Sequence, residues 1–357
     1  MNSLPVKASS LISRPQLFEL LDDHLSRPMI LIKAPAGYGK TALVKSWLEE
    51  NFYESTWVEC RYLNDVDAAL EKIAAGYVIP FNASKRRADK AEPEVHTVDA
   101  MVEPESALDA LPHVLVLDDF HLLTDDRLLD KITDLVHQCL PKLMIVLITR
   151  THPSIKVARL RMLNQVLEVT ENDLTFSTNE VHELLSQRLP FLVTRDLSEK
   201  LCRRVRGWPC AIQIAISVSR SSQQLEAFIN GIDKGHRHIN DFFEEEVIRP
   251  LSSEQIRFLE SISLLKHFNG ELAFTITGDA NARHMLYTLS RLGVFIHLVD
   301  DVGEWLELHP LFAHYLYQRL LTFEGSQYIS LHQRASDAFL SLQQPKQAAM
   351  NALAAKD

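Results

Sequence analysis

Short apolar runs alternate with stretches of helical periodicity through the first part of the chain. Strands that alternate with helices form a mostly parallel sheet, and the carboxyl edge of such a sheet carries the ligand. The pattern therefore predicts an α/β domain over residues 1–165. The predicted strands are residues 29–33, 56–60, 114–118 and 143–150, the predicted helices are 41–48, 65–75 and 127–139, and residues 81–112 are predicted to be a solvated connection.

From residue 166 onward the periodicity turns helical. Ser177, followed three residues later by Glu180, fits a capping box, in which the two side chains satisfy the first free N–H groups of a helix. Pro209 opens a further helix, because a first turn does not need the N–H that proline lacks. We therefore predict an α-helical domain over residues 166–235.

Residues 236–324 combine helices with a hairpin. Two alternating segments, 293–299 and 304–308, flank a glycine-bearing turn, a pattern typical of paired antiparallel strands. Helices followed by a hairpin predict a winged-helix domain. Residues 325–357 continue in an alanine-rich helical pattern, which is typical of the start of a helical repeat. Further helices are predicted at residues 241–248, 254–264, 282–292 and 311–321.

Composition limits the class of protein. The chain has 357 residues, with 46% hydrophobic and 24% charged residues, which is ordinary for a soluble protein of two or three domains. Its four cysteines have no metal-ligand spacing, which favours a reducing cytoplasm, and we expect no membrane span and no secretory leader. A net charge of −10 argues against a broad nucleic-acid or membrane footprint.

A glycine-rich turn lies between the first predicted strand and the helix that begins at Thr41. This is the context of a phosphate-binding P-loop, although Ala34 stands where the pattern has its first glycine. Gly37 and Gly39 let backbone N–H groups approach phosphate oxygens. Lys40 is expected to reach the β- and γ-phosphates, and Thr41 to ligate Mg²⁺. The alternative is a chance match in a loop. The segment reads Pro35-Ala36-Gly37-Tyr38-Gly39-Lys40-Thr41.

Two carboxylates end another predicted strand. Asp118 is expected to hold Mg²⁺ opposite Thr41, and Asp119 to orient or deprotonate the water that attacks the γ-phosphate. Arg150 ends the next strand at the same edge, where it is placed to contact the γ-phosphate. Without the P-loop, two carboxylates at the end of a strand more often mark only the point where the strand meets solvent. Arg150 would then be a surface arginine.

The predicted wing is acidic. It carries Asp300, Asp301, Glu304 and Glu307, whereas DNA-reading wings and recognition helices are basic. Repulsion from phosphates therefore argues against DNA binding by this part of the chain.

Five motifs, in this order, resemble the MalT-type bacterial transcription regulators. These belong to the STAND class of P-loop NTPases, which is related to the AAA+ and NB-ARC ATPases. The likeness runs over essentially the whole chain, and the order and spacing of the motifs are more specific than any one of them. The motifs lie at residues 34–41, 117–121, 149–150, 173–177 and 309–312.

The resemblance implies roles by position. Lys40, Thr41 and Asp118 match the family's phosphate and Mg²⁺ ligands, Arg150 its sensor arginine, and His309 a histidine that contacts the ADP β-phosphate. From the residues alone, His309 would instead cap the helix at 311–321. The turn at 207–209 matches one near adenine, or is only a helix corner. The predicted catalytic residues are Asp118, Asp119 and Arg150, and the predicted nucleotide-binding residues are Arg14, Pro35, Ala36, Gly37, Tyr38, Gly39, Lys40, Thr41, Ala42, Arg150, Pro209 and His309.

The implied function is a slow ATPase switch of a transcription activator. Members of the family are monomers with bound ADP at rest. They self-associate with bound ATP when an inducer, which is a small molecule or a protein, binds the helical repeat. Their promoter contacts come from a C-terminal LuxR-type domain. No such segment lies in these residues, which leads us to expect a truncated chain or a shortened homologue. The alternatives are a P-loop kinase or other metabolic NTPase, and a nucleotide-binding scaffold without turnover.

Overall fold

The computed structural model describes residues 14–62, 112–140, 142–300, 304–322 and 325–356. Their contacts divide the chain into two compact units. The first contains the described residues of 1–33 and 40–173, and the second contains residues 34–39 and those from 174 onward. By its contacts, the glycine-rich loop Ala34–Gly39 therefore belongs to the second unit, although the residues directly before and after it belong to the first.

Among its described residues, the first unit contains a sheet of five parallel strands in the order β2-β3-β4-β1-β5. The strands β1, β3 and β4 are almost continuously apolar and buried, as expected for a sheet covered on both faces. Since β4 lies between β1 and β3, the loop after β1 and the carboxylates after β3 follow strands that are not neighbours. The strands are β1 (Met29–Lys33), β2 (Ser55–Glu59), β3 (His113–Asp118), β4 (Leu143–Thr149) and β5 (Val166–Val169).

In the part of the first unit that the structure describes, five α-helices accompany this sheet. The side chain of Asp125 caps the third, accepting hydrogen bonds from the N–H groups of Arg127 at 2.9 Å and Leu128 at 3.1 Å. The predicted helix at 65–75 lies outside the described residues, as does nearly all of the predicted connection at 81–112. The helices are α1 (Pro15–Asp22), α2 (Lys40–Glu50), α3 (Asp126–Gln138), α4 (Ala158–Met162) and α5 (Glu171–Leu174).

The helical pattern predicted from residue 166 onward is wrong at its start. Residues 166–169 form β5, which pairs in parallel with β1 in a register that places Leu31 opposite Glu168. The boundary predicted at residue 165 therefore falls just before a strand of the sheet. A run of four residues is too short for periodicity to separate a strand from a helix, and its hydrogen bonds to β1 decide the matter.

The second unit is mostly helical. Its first helix, α6, begins with the predicted capping box, since Ser177 accepts a hydrogen bond from the N–H of Glu180 while the Glu180 side chain accepts from the N–H of Ser177. Pro209 is the first residue of α8, as predicted. These helices are α6 (Thr178–Arg188), α7 (Arg195–Val205), α8 (Pro209–Val218), α9 (Ser222–Gly231), α10 (Arg237–Phe243), α11 (Ser253–Ile262), α12 (Gly270–Thr277) and α13 (Ala282–Arg291).

The predicted hairpin is present. Strands β6 (Ile296–Leu298) and β7 (Leu306–Leu308) are antiparallel, with Ile296 opposite Leu308. Helix α12 was not predicted, although the side chain of Asn269 caps it by accepting from the N–H of Leu272 at 2.9 Å. Helix α10 continues into a π-helical segment, Glu244–Ile248.

Three more helices follow in the described residues of the second unit. They are α14 (Pro310–Leu320), α15 (Gly325–Ser341) and α16 (Pro345–Ala354). Helices α15 and α16 pack against each other, and His332 contacts the Asn351 side chain at 2.8 Å while the Ser336 hydroxyl donates to the Ala348 carbonyl at 3.0 Å. Within the described ranges, the helices are either too short or too polar to cross a membrane.

Candidate nucleotide site

The side chains of Thr41 and Asp118 are in direct contact. The Thr41 hydroxyl lies 3.2 Å from Oδ1 and 3.1 Å from Oδ2 of Asp118. Thr41 lies in the first turn of α2, and Asp118 is the buried last residue of β3. The two residues predicted to ligate Mg²⁺ are therefore brought together, and hydroxyl and carboxylate oxygens are the hard ligands that this ion takes.

The environment of Asp118 suits a cation. Burial raises the pKa of its carboxyl, and the neighbouring Asp119 raises it further, against the hydrogen bonds from the Asp119 N–H and Thr41. Both causes disfavour a bare negative charge. A divalent cation at this carboxylate would relieve both, so the residues present fit Mg²⁺.

Lys40 opens α2 and is nearly buried. Burial lowers the pKa of its ammonium to about 8, and Arg150 lowers it as well, while Asp119, Asp118 and Glu171 oppose the shift. Arg150 directly follows β4, so it shares the carboxyl edge with Lys40, as predicted. A polyanion such as a phosphate chain would favour the charged form of the lysine.

Asp119 is engaged by Arg61, a residue that the sequence analysis did not identify. The guanidinium donates to Oδ2 of Asp119 from Nε at 2.9 Å and also from Nη2. Asp119 has a left-handed backbone, with φ of 53°. The contact between Arg61 and Asp119 follows from the strand register. Because Glu59 pairs with Asp118, residues just past β2 lie beside residues just past β3.

His121 is a second side chain at this edge whose role was not predicted. Burial lowers the pKa of its imidazole to about 4, and Arg150 contributes to the shift. Its Nδ1 atom is buried without a hydrogen-bond partner. His121 is therefore neutral near pH 7, and it lies three residues beyond Asp118.

Two further predicted residues flank the first unit's site. Arg14 precedes α1, and its Nη2 donates to the backbone carbonyl of Asp173 at 3.3 Å. Ala42 lies in the first turn of α2, next to Thr41. Their contact with a nucleotide stays a prediction.

The glycine-rich loop Ala34–Gly39 makes three contacts with other residues of the second unit that fix its path. The indole Nε1 of Trp208 donates to the Ala36 carbonyl at 3.3 Å, and the Cys210 N–H donates to the Gly37 carbonyl at 3.1 Å. The ring of Tyr38 lies 6.1 Å from that of Phe295. The turn that the sequence analysis placed near adenine therefore holds two consecutive carbonyls of the loop.

Only glycine fits at position 37. Its φ is 75°, in the left-handed region that favours glycine. A Cβ there would lie 2.7 Å from the Cβ of Cys210 and 3.0 Å from Nε1 of Trp208. Gly39 has a similar φ of 76°, but a Cβ there would meet nothing within 4 Å. Pro35 lies in the same loop.

Trp208 is at the centre of a buried aromatic cluster, which we define as Trp208, Phe242, Phe243, Phe295 and His309. Its ring is stacked on Phe243, with centroids 5.3 Å apart, and meets Phe295 edge-on at 5.2 Å. Such pairs add to the free energy of burying the rings. The turn before Pro209 is therefore a rigid part of the second unit.

His309 lies within this aromatic cluster with only 2% of its surface exposed. It occupies the N-cap position of α14, but its side chain makes no capping hydrogen bond, so the capping alternative is wrong. Burial lowers the pKa of its imidazole to about 3, with help from His297 and Arg206 and against the Val205 carbonyl. Neither ring nitrogen makes a hydrogen bond that meets ordinary geometric limits. Buried nitrogens of this kind are costly unless a ligand pairs with them.

Comparison with known proteins identifies the relatives of this chain. Residues 244–328 match the family model described as the MalT winged helix domain. The chain is 31% identical, over 99% of its length, to the HTH-type transcriptional regulator MalT of Serratia proteamaculans, and 30% identical to that of Yersinia enterocolitica. It is a relative of the MalT regulators. The resemblance found in the sequence is thereby confirmed, and the chain spans about 40% of the length of these curated relatives.

A solved structure shows the same fold. The Walker-type ATPase PABY2304 of Pyrococcus abyssi aligns with 86% of this chain and 96% of its own, with a TM-score of 0.56 and 16% sequence identity. The likeness supports the predicted fold class: a P-loop sheet, a helical region and a winged helix, followed by the start of a helical array. At this identity it carries the fold alone.

Proposed function

We propose that this chain is the nucleotide-controlled switch of a MalT-type transcription regulator, with ATP or ADP and Mg²⁺ as its cofactors. The observation that carries the proposal is the contact between Thr41 and the Asp118 carboxylate. A hydroxyl at the start of the helix after a P-loop and an acid at the end of a separate strand are the two protein ligands of Mg²⁺ in P-loop NTPases.

The proposed hydrolysis is slow. In P-loop enzymes a side chain near the γ-phosphate must orient the attacking water. Asp119 is the candidate, and both hydrogen bonds from Arg61 fall on its Oδ2 atom. A carboxylate that is held by two hydrogen bonds from a guanidinium is less able to turn toward a water molecule.

We further propose the two states of the switch. With ADP the protein rests as a monomer, and with ATP and an inducer it self-associates. A ligand can shift such an equilibrium only through a difference in its affinity for the two states. The proposed differential contact to ADP is His309, whose imidazole is buried with neither ring nitrogen in a hydrogen bond of ordinary geometry. Pro209 is a proposed contact to the base, and the inducer is proposed to bind a helical repeat of which α15 and α16 are the first pair.

The regulator's DNA contacts are proposed to lie outside the winged helix described above. The relatives are named HTH-type regulators, but the wing of this chain is acidic, and Glu307 is engaged by Arg206. Sequence-specific retention of duplex DNA by this chain at physiological salt would contradict the proposal, because phosphate contacts need clustered lysine or arginine.

The test is nucleotide binding and turnover by Lys40→Ala and Asp118→Asn proteins. Lys40→Ala should abolish binding of ATP and ADP, since its charge-assisted hydrogen bonds to phosphate are lost. Asp118→Asn should bind nucleotide but lose most of its Mg²⁺-dependent phosphate release. Lys156→Ala, at an exposed lysine of the same unit, is the control and should match the wild type.

The outcomes separate the alternatives. Equal ATP affinity for the wild type and Lys40→Ala would contradict the assignment of the site. Nucleotide binding without phosphate release by the wild type would favour the scaffold alternative. Phosphate transfer to an acceptor other than water would favour the kinase alternative.

A further inference from the structure

A cavity of about 560 Å³ lies inside the second unit. One wall comes from the winged-helix region, around Lys266, His267 and Trp305, and the opposite wall comes from α15 and α16. The volume falls in the range that holds small organic ligands. The cavity contains none of the predicted nucleotide-binding residues, so it belongs to a separate site.

Lys266 supplies a positive charge to the lining of the cavity. Lys266 makes no ion pair with any of the described residues, and His267 next to it offers a second nitrogen. The carboxylate of Asp300 also lines the cavity, but its Oδ1 accepts from the N–H groups of Glu304 at 3.0 Å and Trp305 at 3.2 Å. A ligand therefore meets the Lys266 ammonium and a nitrogen of His267, while one oxygen of Asp300 already accepts two hydrogen bonds from the hairpin.

The rest of the lining is mostly apolar. Leu272 and Phe339 are buried, and Leu342 and Met350 are 40% and 62% exposed. Trp305 presents an aromatic ring on the winged-helix side. Such a lining binds an apolar or aromatic body, and a few polar groups fix its orientation.

We propose that this cavity binds a small organic anion with an apolar body, whose charged group pairs with Lys266 and His267. Burial of the body against the apolar lining supplies affinity, and the cation supplies selectivity over neutral molecules of the same shape. The function proposed above places an inducer only on the helical repeat as a whole, and it assigns no ligand to the residues of this cavity.

The cavity is joined by contacts to the phosphate-binding loop. Nε2 of His267 lies 3.5 Å from Oε2 of Glu307, and the other oxygen of Glu307 pairs with Arg206. Arg206 lies two residues before Trp208, whose indole holds the Ala36 carbonyl. An anion that draws His267 away from Glu307 changes the ion pair between Glu307 and Arg206. It thereby changes the conformation of the turn at residues 207–209. This coupling rests on the proposed nucleotide function.

The first experiment tests the site without nucleotide. Calorimetric titration of the full chain with 2-naphthoate should show binding, while 2-naphthamide, which has the same shape without the charge, should bind at least about tenfold more weakly. Lys266→Gln should weaken naphthoate binding by a similar factor. Lys346→Gln, at an exposed lysine of α16 outside the cavity lining, is the matched control and should bind like the wild type.

Three results would overturn the site: no naphthoate binding at millimolar concentration, equal binding of the amide, or an unchanged affinity in Lys266→Gln. Lys266 is exposed, so we expect the Lys266→Gln protein to fold like the wild type. An unchanged melting temperature verifies this.

The second experiment tests the coupling. Saturating 2-naphthoate should change the affinity of the wild type for ADP severalfold, and Glu307→Gln should abolish that change. Glu168→Gln, which breaks the ion pair with Arg161 in the first unit, should leave that change intact. An ADP affinity unaffected by naphthoate would refute the coupling. Failure of the wild type to bind ADP at all would instead refute the proposed function, while the naphthoate titration would still decide the site.

Discussion

The indole nitrogen of Trp208 lies 3.3 Å from the carbonyl oxygen of Ala36 and donates a hydrogen bond to it. The tryptophan is fully buried, so the bond is shielded from competing water. The next carbonyl, that of Gly37, is held by the N–H of Cys210. One turn of the second unit thereby fixes the path of the backbone that is proposed to surround the phosphates.

Trp208→Phe should weaken ADP binding about fivefold, because one neutral hydrogen bond to the loop is lost. The phenyl ring can keep much of the stacking on Phe243. Isothermal titration with ADP measures the effect.

Trp47→Phe is the matched control for this substitution. Trp47 is also fully buried, and its indole donates to the Asp22 carboxylate at 2.8 Å, away from the loop. Both variants should be less stable than the wild type, and only Trp208→Phe should lose ADP affinity. Equal losses of ADP affinity in the two would show that the effect is general destabilisation.

Gly37→Ala should lower the free energy of unfolding more than Gly39→Ala, by about 1 kcal/mol or more. Both glycines have positive φ, so both alanines meet the same backbone strain. Only at position 37 does the added Cβ also collide with Cys210. Chemical denaturation of the two variants measures the difference, and equal losses would contradict the described loop packing.

Arg61→Gln should raise the rate of phosphate release roughly two- to fivefold, because an exposed ion pair contributes at most about 1 kcal/mol of free energy. Without the guanidinium, Asp119 is free to turn toward water. Arg161→Gln removes a different exposed ion pair of the same unit and should leave the rate unchanged. A slower rate in Arg61→Gln would mean that Arg61 positions Asp119 for catalysis rather than restraining it.

His309 should make stability fall in acid. Its pKa is held at about 3 in the folded protein against 6.5 ordinarily, so the unfolded chain binds more protons between these values. Its contribution is complete above pH 6.5 and is lost progressively as the pH falls toward 3, by at most about 1.4 kcal/mol per pH unit. Denaturant titrations at pH 7 and pH 5 should show this loss.

His309→Phe should reduce the difference between the two pH values, because the phenyl ring does not titrate. A residual loss is expected from His121, whose pKa is also lowered, to about 4. An identical difference between pH 7 and pH 5 in the wild type and His309→Phe would show that His309 is not held neutral.

Local chemistry explains what could be predicted from the sequence. The capping box of Ser177 and Glu180 and the opening of α8 at Pro209 depend on residues a few positions apart, and both are confirmed. The strand before the P-loop was likewise identified from its apolar run, and the helix predicted from Thr41 begins one residue earlier, at Lys40.

Long-range pairing explains what was missed. The contact between Arg61 and Asp119 joins residues 58 positions apart, and that between Trp208 and Ala36 spans 172. Contacts between residues so far apart in the sequence cannot be predicted from a local pattern, because they depend on strand register and packing. Helix α12 was missed because its glycine and threonines have low helix propensity, although the Asn269 cap was a usable signal.

The grouping of Ala34–Gly39 with the second unit bears on how this protein can be dissected. A fragment that stops at Asp173 would retain Lys40 and Asp118 but would lack both N–H donors, from Trp208 and Cys210, that hold the loop carbonyls. Its loop would be free to take other conformations, so its phosphate affinity would not report that of the chain. A fragment must extend at least through α8 for the loop to keep its fold.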